Sequence, residues 1–321
     1  MTEKAFGRSV YACKQAAYKA RMAVFVRCCF KDNIPMFIIS TKEIKIENEN
    51  KIKLIVSDLD GTLLNSEKKL PPDFFETFDE LERRGIVFAV ASGRTYSAAD
   101  HLFPEEYRKK ISFICDNGAC TYRAEKLTEV FPLDRATYEE LLDACDRIGG
   151  FKLVVCAAGG VYHLDSGDEF SNAVGLFYRD HSATDDLRGI NDTIFKLAVC
   201  DERGTYAHGK PVLDEIFGDR LNVQVSGPVW MDVMASGVSK GIALKAMQKR
   251  LGVTRAETMA FGDYFNDLDM LLAADWSFCP ENGHEEIKKQ TRFVCADCDH
   301  GGVVAAIKKY ALNEKTEGLT V

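Results

Sequence analysis

The sequence predicts an α/β protein interrupted by an α+β insertion, on three observations. Short β-branched apolar runs alternate with amphipathic, helix-length segments in two stretches of the chain, 51–131 and 236–321. Several of those runs stop at acidic or glycine-containing clusters. Between the two stretches, residues 132–235 carry a different pattern with alternating, hairpin-like runs. Strand, helix, strand in repetition implies right-handed crossovers and a parallel sheet covered on both faces. The intervening pattern reads as an antiparallel sheet with helices, a separate α+β layer.

The first 50 residues precede this rhythm. Residues 1–33 hold seven basic side chains, at positions 4, 8, 14, 19, 21, 27 and 31, against only Glu3 and Asp32. Arg27 interrupts the short apolar run Met22 to Val26, which makes a poor secretory signal. An Arg-rich, acid-poor start is also the pattern of a transit peptide, but the favoured reading is a poorly ordered extension, or an early start with Met36 as the alternative. Ile52 to Ser57 then forms a buried strand that stops at Asp58-Leu59-Asp60-Gly61. Pro71-Pro72-Asp73 opens a helix with Phe74, Phe78 and Leu81 on one face, and Gly85 closes it. Strands follow at Ile86 to Ala91, ending at Ser92-Gly93-Arg94, and at Ile111 to Cys115, ending at Asp116-Asn117-Gly118.

In the insertion a helix is expected over Tyr138 to Ile148. A hairpin follows from Lys152 to Cys156 and Val161 to Leu164, turning at Gly159-Gly160. Strands at Ile194 to Val199 and Leu221 to Val225 flank a helix over 210–217, and Val229 to Met234 ends the unit. The α/β rhythm then returns. Ser239 caps a helix through Ile242, Leu244, Met247 and Leu251. The strand Thr258 to Phe261 ends at Gly262-Asp263, and a helix covers Asp267 to Ala274. A last strand at Phe293-Val294 and a helix over Val303 to Ile307 complete the layer.

Composition narrows the function. A net charge of -8 argues against nucleic acid as a partner, because a nucleic-acid site needs a basic face to neutralise phosphates. No apolar stretch is long enough to span a bilayer. The 11 cysteines are odd in number and scattered, which fits reduced thiols and a cytoplasmic location better than a disulfide framework. Cys295-Ala296-Asp297-Cys298, with His300 nearby, lacks the second half of a zinc site and reads as loop thiols.

Ligands of open α/β sheets bind at the carboxyl ends of the strands. There the sequence places Asp58 and Asp60, Ser92, and Asp263, Asn266 and Asp267, with Lys240 at a helix start. If strand geometry persists, Asp58 and Asp60 point to the same side and repel unless a cation sits between them. A hard divalent ion such as Mg2+ suits such oxygen donors, and Asp263 and Asp267 can add charge to it. Phosphoryl transfer needs a nucleophile, charge neutralisation and an acid for the leaving oxygen. Asp58 is the expected nucleophile and Asp60 the acid and base. The Ser92 hydroxyl and the Gly93 N–H are expected to donate to phosphate, with Lys240 supplying positive charge. Taken singly, Ser92 would be a helix cap and Lys240 a surface lysine; the combination carries the reading.

These residues resemble the haloacid dehalogenase superfamily of phosphatases. Asp58-Leu59-Asp60-Gly61-Thr62-Leu63-Leu64 is similar to its first motif, and Ala91-Ser92-Gly93-Arg94 to its second. Gly237-Val238-Ser239-Lys240-Gly241 is similar to the third, and Gly262-Asp263-Tyr264-Phe265-Asn266-Asp267 to the fourth. The forms of motifs two and four, with Asn117-Gly118-Ala119, resemble the Cof-type sugar-phosphatase branch, with a class IIB cap. The resemblance spans about residues 51 to 310 and implies a Rossmann-like core with a cap inserted between motifs two and three. It further implies Asp58 as nucleophile and metal ligand, Asp60 as acid/base and a ligand through its backbone carbonyl, and Asp263 as the third ligand. Asp267 would support the ligands from behind, and Ser92, Lys240 and Asn266 would contact phosphate or substrate. Two departures touch the substrate pocket: Asp232 stands where the family usually has Glu, and Cys279-Pro280 is untypical of the loop 279–283.

The expected activity is Mg2+-dependent hydrolysis of a small phosphorylated metabolite, a sugar phosphate by resemblance, under a cap that excludes water. A phosphomutase would use the same intermediate, and a silent binding module on this fold would have lost a motif residue. Every motif residue is present. Tyr162, His163, Phe177 and Lys196 in the insertion either face the ligand or pack and solvate. The sequence names neither the metabolite nor an oligomeric state.

Overall fold

The computed structural model describes residues 52–313, apart from 165, 166 and 179. The extension expected over residues 1–50 lies outside the described residues.

Fourteen strands are described: β1 Leu54–Asp58, β2 Val87–Ala91, β3 Ser112–Cys115, β4 Cys120–Arg123, β5 Lys126–Val130, β6 Phe151–Ala157, β7 Gly160–Leu164, β8 His181–Thr184, β9 Ile194–Asp201, β10 Leu221–Val225, β11 Trp230–Ala235, β12 Thr258–Phe261, β13 Trp276–Pro280 and β14 Phe293–Cys295. They form an eight-stranded sheet in the order β14-β13-β12-β1-β2-β3-β4-β5 and a six-stranded sheet in the order β10-β11-β9-β6-β7-β8.

The first sheet is the α/β layer. From β14 to β3 every neighbouring pair is parallel. Side chains alternate across it, as strand geometry requires. Ile55, Phe88, Val90, Phe113 and Phe261 pack on one face against the helices Phe74–Arg83 and Gly302–Tyr310. Leu54, Val56, Ala89, Ala91 and Ile114 pack on the other against the helix Lys240–Leu251, through Ala243, Leu244 and Met247. Burial on both faces is why these strands read as continuous apolar runs. The second sheet repeats the logic: Leu153 and Val155 meet Tyr138, Leu141 and Leu142 of the helix Arg135–Ile148, whereas Val154 and Cys156 meet Phe170 and Val174.

The structure corrects four expectations. The first sheet is not wholly parallel, since β3-β4-β5 is an antiparallel meander that the sequence reading passed over. β5 is half exposed, so it carries no apolar run to announce it. The second sheet is not wholly antiparallel, because β7 and β8 pair in parallel across the helix Asp168–Gly175. Cys279 and Pro280 are strand rather than loop: Pro280 is the last residue of β13, in register with Cys295, where a missing N–H is tolerated. The helix expected from Asp267 to Ala274 is a 3-10 turn, Phe265–Asp267, followed by the short helix Leu268–Leu272.

Gly118 sits where the first sheet meets the start of the helix Lys240–Leu251. Its φ is +99°, and a Cβ there would lie 2.1 Å from the Ser239 carbonyl oxygen. Backbone strain and overlap with backbone act together, so Gly118→Ala is expected to cost about 2–4 kcal/mol. Urea unfolding should show a lower midpoint at unchanged slope; an unchanged midpoint would mean that the close approach is not maintained.

Candidate active site

Because β12, β1, β2 and β3 are parallel neighbours, their carboxyl ends share one edge of the sheet. Asp58 ends β1, Ser92 follows β2, Asp116 follows β3, and Gly262-Asp263 follows β12. Lys240 arrives as the first residue of its helix, whose Ser239 cap accepts a hydrogen bond from the Ile242 N–H at 3.2 Å.

Lys240 is the centre of the arrangement. It is fully buried, and its ammonium donates to Asp58 Oδ1 and to Asp267 Oδ1, each at 2.6 Å. Burial disfavours its charge, but Asp267 and Asp58 together outweigh that and raise its pKa. Asp267 spends its other oxygen on the backbone N–H groups of Asp263 and Tyr264, both at 3.1 Å. That chelation fixes the turn after β12 and aims Asp263 at the site. Asp263 in turn accepts from the Thr62 hydroxyl at 3.2 Å.

Carboxylate oxygens of Asp58, Asp263 and Asp267 lie within 4.8 Å of one another. Burial is the largest influence on Asp58 and, with repulsion from Asp267 and Asp263, pushes its pKa to about 8 despite Lys240. Burial and Asp267 push Asp263 to about 6. Hard oxygen donors this close, short of positive charge, fit a divalent cation. Asp267 already accepts three hydrogen bonds, from Lys240 and two N–H groups, which leaves Asp58 and Asp263 as the side chains with more free acceptor capacity for an ion. Gly61 makes room for this, with φ +86° and Asp263 Oδ2 only 2.7 Å from where its Cβ would stand.

Asp60 departs from expectation. Its carboxylate does not join the acidic cluster but accepts from Arg94 Nε at 2.8 Å, Arg94 Nη2 at 2.7 Å and Lys68 Nζ at 2.9 Å. The alternation that would place Asp58 and Asp60 on one side ends with the strand at Asp58. Burial alone would raise the Asp60 pKa, but its bonds to Arg94 and Lys68 prevail and lower it.

Ser92 does not cap a helix; the helix Tyr96–Asp100 begins after Thr95. Its hydroxyl oxygen accepts from the Arg94 N–H at 3.2 Å, and its carbonyl from the Asn117 N–H at 3.0 Å. Gly93 lies against the Asn117 amide, 3.1 Å from where its Cβ would be. Asn266 Nδ2 donates to Asn117 Oδ1 at 3.3 Å, so Asn117 ties the loop after β2 to the turn after β12. Asp116 and Asn117 both hold left-handed backbones, φ 50° and 53°, uncommon for residues with side chains. Sequence reasoning gave no role to Arg94, Thr62, Asp116 or Asn117. The position of 116–117 past a strand was the available signal, and the partners of Arg94 and Thr62 are distant in sequence.

The other sequence candidates separate. His163 is buried, 3.0 Å from His181 Nδ1 and edge-on to Phe170. Phe177 is exposed beside Trp230, and Tyr162 is half-buried. Lys196 is buried and ion-paired. Cys295 and Cys298 are buried free thiols, and His300 is engaged by Asp297 at 2.7 Å. Among the described residues no helix is long and apolar enough to cross a membrane.

This fold, with carboxylates gathered round a buried lysine at the strand ends, is that of an α/β phosphohydrolase. The profile of haloacid dehalogenase-like hydrolases matches residues 55–307, and the chain belongs to that family. It is 26% identical over 265 residues to the 5-amino-6-(5-phospho-D-ribitylamino)uracil phosphatase YbjI of Escherichia coli strain K12, covering 82% of this chain and 97% of that one. It is 26% identical over 259 residues to the HMP-PP phosphatase of Klebsiella pneumoniae strain 342, covering 78% and 93%. A solved haloacid dehalogenase subclass IIB sugar phosphatase superposes with a TM-score of 0.67 at 21% identity, covering 81% and 99%, a likeness of fold. The chain is thus a phosphatase of the Cof-type branch.

Removing Lys240 would strand two buried carboxylates, so Lys240→Met is expected to cost about 3–5 kcal/mol near neutral pH. The deficit should widen as pH rises through about 8, because Asp58 beside Lys240 gives up its proton there, whereas Asp58 without that partner holds its proton to higher pH and the variant goes on losing stability. Thermal melting of wild type and variant between pH 6 and pH 10 measures both effects; a deficit independent of pH would contradict this account.

Proposed function

We propose that this protein is a Mg2+-dependent, cytoplasmic phosphatase that hydrolyses a small phosphorylated metabolite, a sugar phosphate or a close relative, through an aspartyl-phosphate on Asp58. In this reading 51–131 and 236–321 form the catalytic core and 132–235 the cap. One observation carries it: Lys240 pins one oxygen of Asp58 while Asp58 and Asp263 keep oxygens within 4.8 Å. The nucleophile is therefore oriented, and its charge has a place to be shared.

Asp58 and Asp263, with the Asp60 carbonyl, would hold the ion, and Asp267 would brace Asp263 and Lys240. Bound there, the ion would neutralise phosphate oxygens and keep both carboxylates ionised. The Ser92 hydroxyl and the Gly93 N–H donate to the phosphate, whose remaining charge faces Lys240. Asn266 adds a side-chain amide beside the substrate. An Asp58 oxygen attacks phosphorus as the ester oxygen departs with a proton from the Asp60 carboxyl group. Water then attacks phosphorus, Asp60 takes its proton, and Asp58 and inorganic phosphate are released. Asp60 serves as an acid only once it leaves Arg94 and Lys68, whose charges favour its ionised form. The curated relatives act, by name, on compact phosphorylated metabolites, which supports the same substrate class here.

A screen of phosphorylated metabolites with Mg2+ should yield phosphate from several compounds, and Asp58→Asn should lose at least about a thousandfold in kcat. EDTA should abolish the activity and Mg2+ restore it. Turnover by Asp58→Asn at the wild-type rate would remove Asp58 from the chemistry.

The acidic cluster also sets a pH dependence. Folded pKa values of about 8 for Asp58 and about 6 for Asp263 exceed the ordinary 3.8. Their contribution to metal-free stability is thus present below about pH 4 and lost as pH rises through those values. An ion that requires the deprotonated forms restores stability at the alkaline end. The rise in Tm on adding Mg2+ should grow from pH 5 to pH 8, and a constant increment would contradict binding at these carboxylates.

A further inference from the structure

Lys196 lies in β9 of the second sheet, yet its ammonium is turned to the first. It is 2% exposed. Nζ stands 2.9 Å from Asp116 Oδ1, just past β3, and 3.4 Å from Asp232 Oδ1 in β11. It also donates to the Gly93 carbonyl oxygen at 3.3 Å. Burial opposes its charge, but the two aspartates prevail and keep it protonated. A charged donor is thus held against the loop that follows β2.

That loop has a regular pattern of support. The Ser92 carbonyl accepts from the Asn117 N–H at 3.0 Å and the Arg94 carbonyl from the Asp116 N–H at 2.9 Å. Both donors belong to the first sheet's own turn. The carbonyl between them, Gly93, takes its bond from Lys196 of the second sheet. Gly93 C=O and Arg94 N–H are the two ends of one planar peptide. Its N–H end donates to Ser92 Oγ at 3.2 Å. The peptide is therefore clamped at both ends. A hydroxyl oxygen that accepts from this N–H directs its own proton elsewhere, which leaves it as a donor. A charged donor on the carbonyl also polarises the amide and strengthens the bond at its far end. Glycine at 93 offers little intrinsic resistance to rotation, so the clamp decides the orientation.

We propose that Lys196 is a positioning residue: docking of the second sheet's ammonium on Gly93 and Asp116 orients the Ser92 hydroxyl toward the substrate phosphate. The proposal rests on the phosphatase reading above. Lys196 touches no substrate and acts through Ser92.

A double-mutant cycle of Lys196→Met and Ser92→Ala, in the full chain with Mg2+ and para-nitrophenyl phosphate as the probe, tests this. Each single variant is expected to lose about tenfold in kcat/KM, the scale of one charge-assisted hydrogen bond, with most of the Lys196→Met loss in KM. With Ser92 already alanine, Lys196→Met should cost less than about twofold. Losses that multiply independently would overturn the proposal. Lys196→Met strands two carboxylates and is checked by circular dichroism. If it does not fold, Asp232→Asn replaces it in the cycle, since it weakens the grip on Lys196 while Asp116 still pairs with it. Its smaller loss should likewise vanish in the Ser92→Ala background, and persistence of that loss would overturn the proposal. Absence of phosphate release by wild type would sink the phosphatase reading instead. Wild-type turnover abolished by Asp58→Asn, together with an additive cycle, would sink only the role of Lys196.

Discussion

One ammonium group between two carboxylates organises this molecule. Lys240 joins Asp58, at the end of the central strand, to Asp267, in the turn after its neighbour. These residues come from three distant parts of the chain, and all three are buried. An uncompensated charge in any of them would be costly, so the folded state requires all three segments to arrive together. The same pairing leaves the site short of positive charge: one lysine faces Asp58, Asp263 and Asp267. Stability and the proposed affinity for a cation therefore share one origin.

The sheet supplies the geometry that makes this convergence possible. Parallel order from β14 to β3 gathers several carboxyl ends on one edge, and burial on both faces holds each strand in register. The turns beyond the strands are then free to carry polar groups, because the strands beneath need none. Left-handed backbones at Asp116 and Asn117 and the close approach at Gly118 show how tightly those turns are folded against one another.

Two layers of control lie over the acidic cluster. Arg94 and Lys68 hold the Asp60 carboxylate away from Asp58, so the proposed proton carrier is stored as an ion pair. One residue earlier, the Gly93 carbonyl accepts from the second sheet. The loop 92–94 therefore adjoins the proposed acid, carries the proposed phosphate donors and meets the second sheet within three residues, and its bonds to Asp60 and Lys196 are bonds to charged groups.

By itself the sequence determined the α/β class, most strand positions and the family, because buried strands are continuous apolar runs and the motifs are local strings of residues. It left the β4-β5 meander, the parallel β7-β8 pair and the strand character of Pro280 unread, since half-exposed or proline-ended strands lack that signature. Tertiary structure alone decided which carboxylates meet. Asp58 and Asp60 are two residues apart and face different partners, whereas Asp58 and Asp263 are far apart in sequence and share one site. Side-chain direction past the end of a strand is set by the turn and its ion pairs, which no period of two can extend. Lys196 makes the same point: a buried lysine in a strand reads as an anomaly until the other sheet supplies its two carboxylates and the carbonyl it holds.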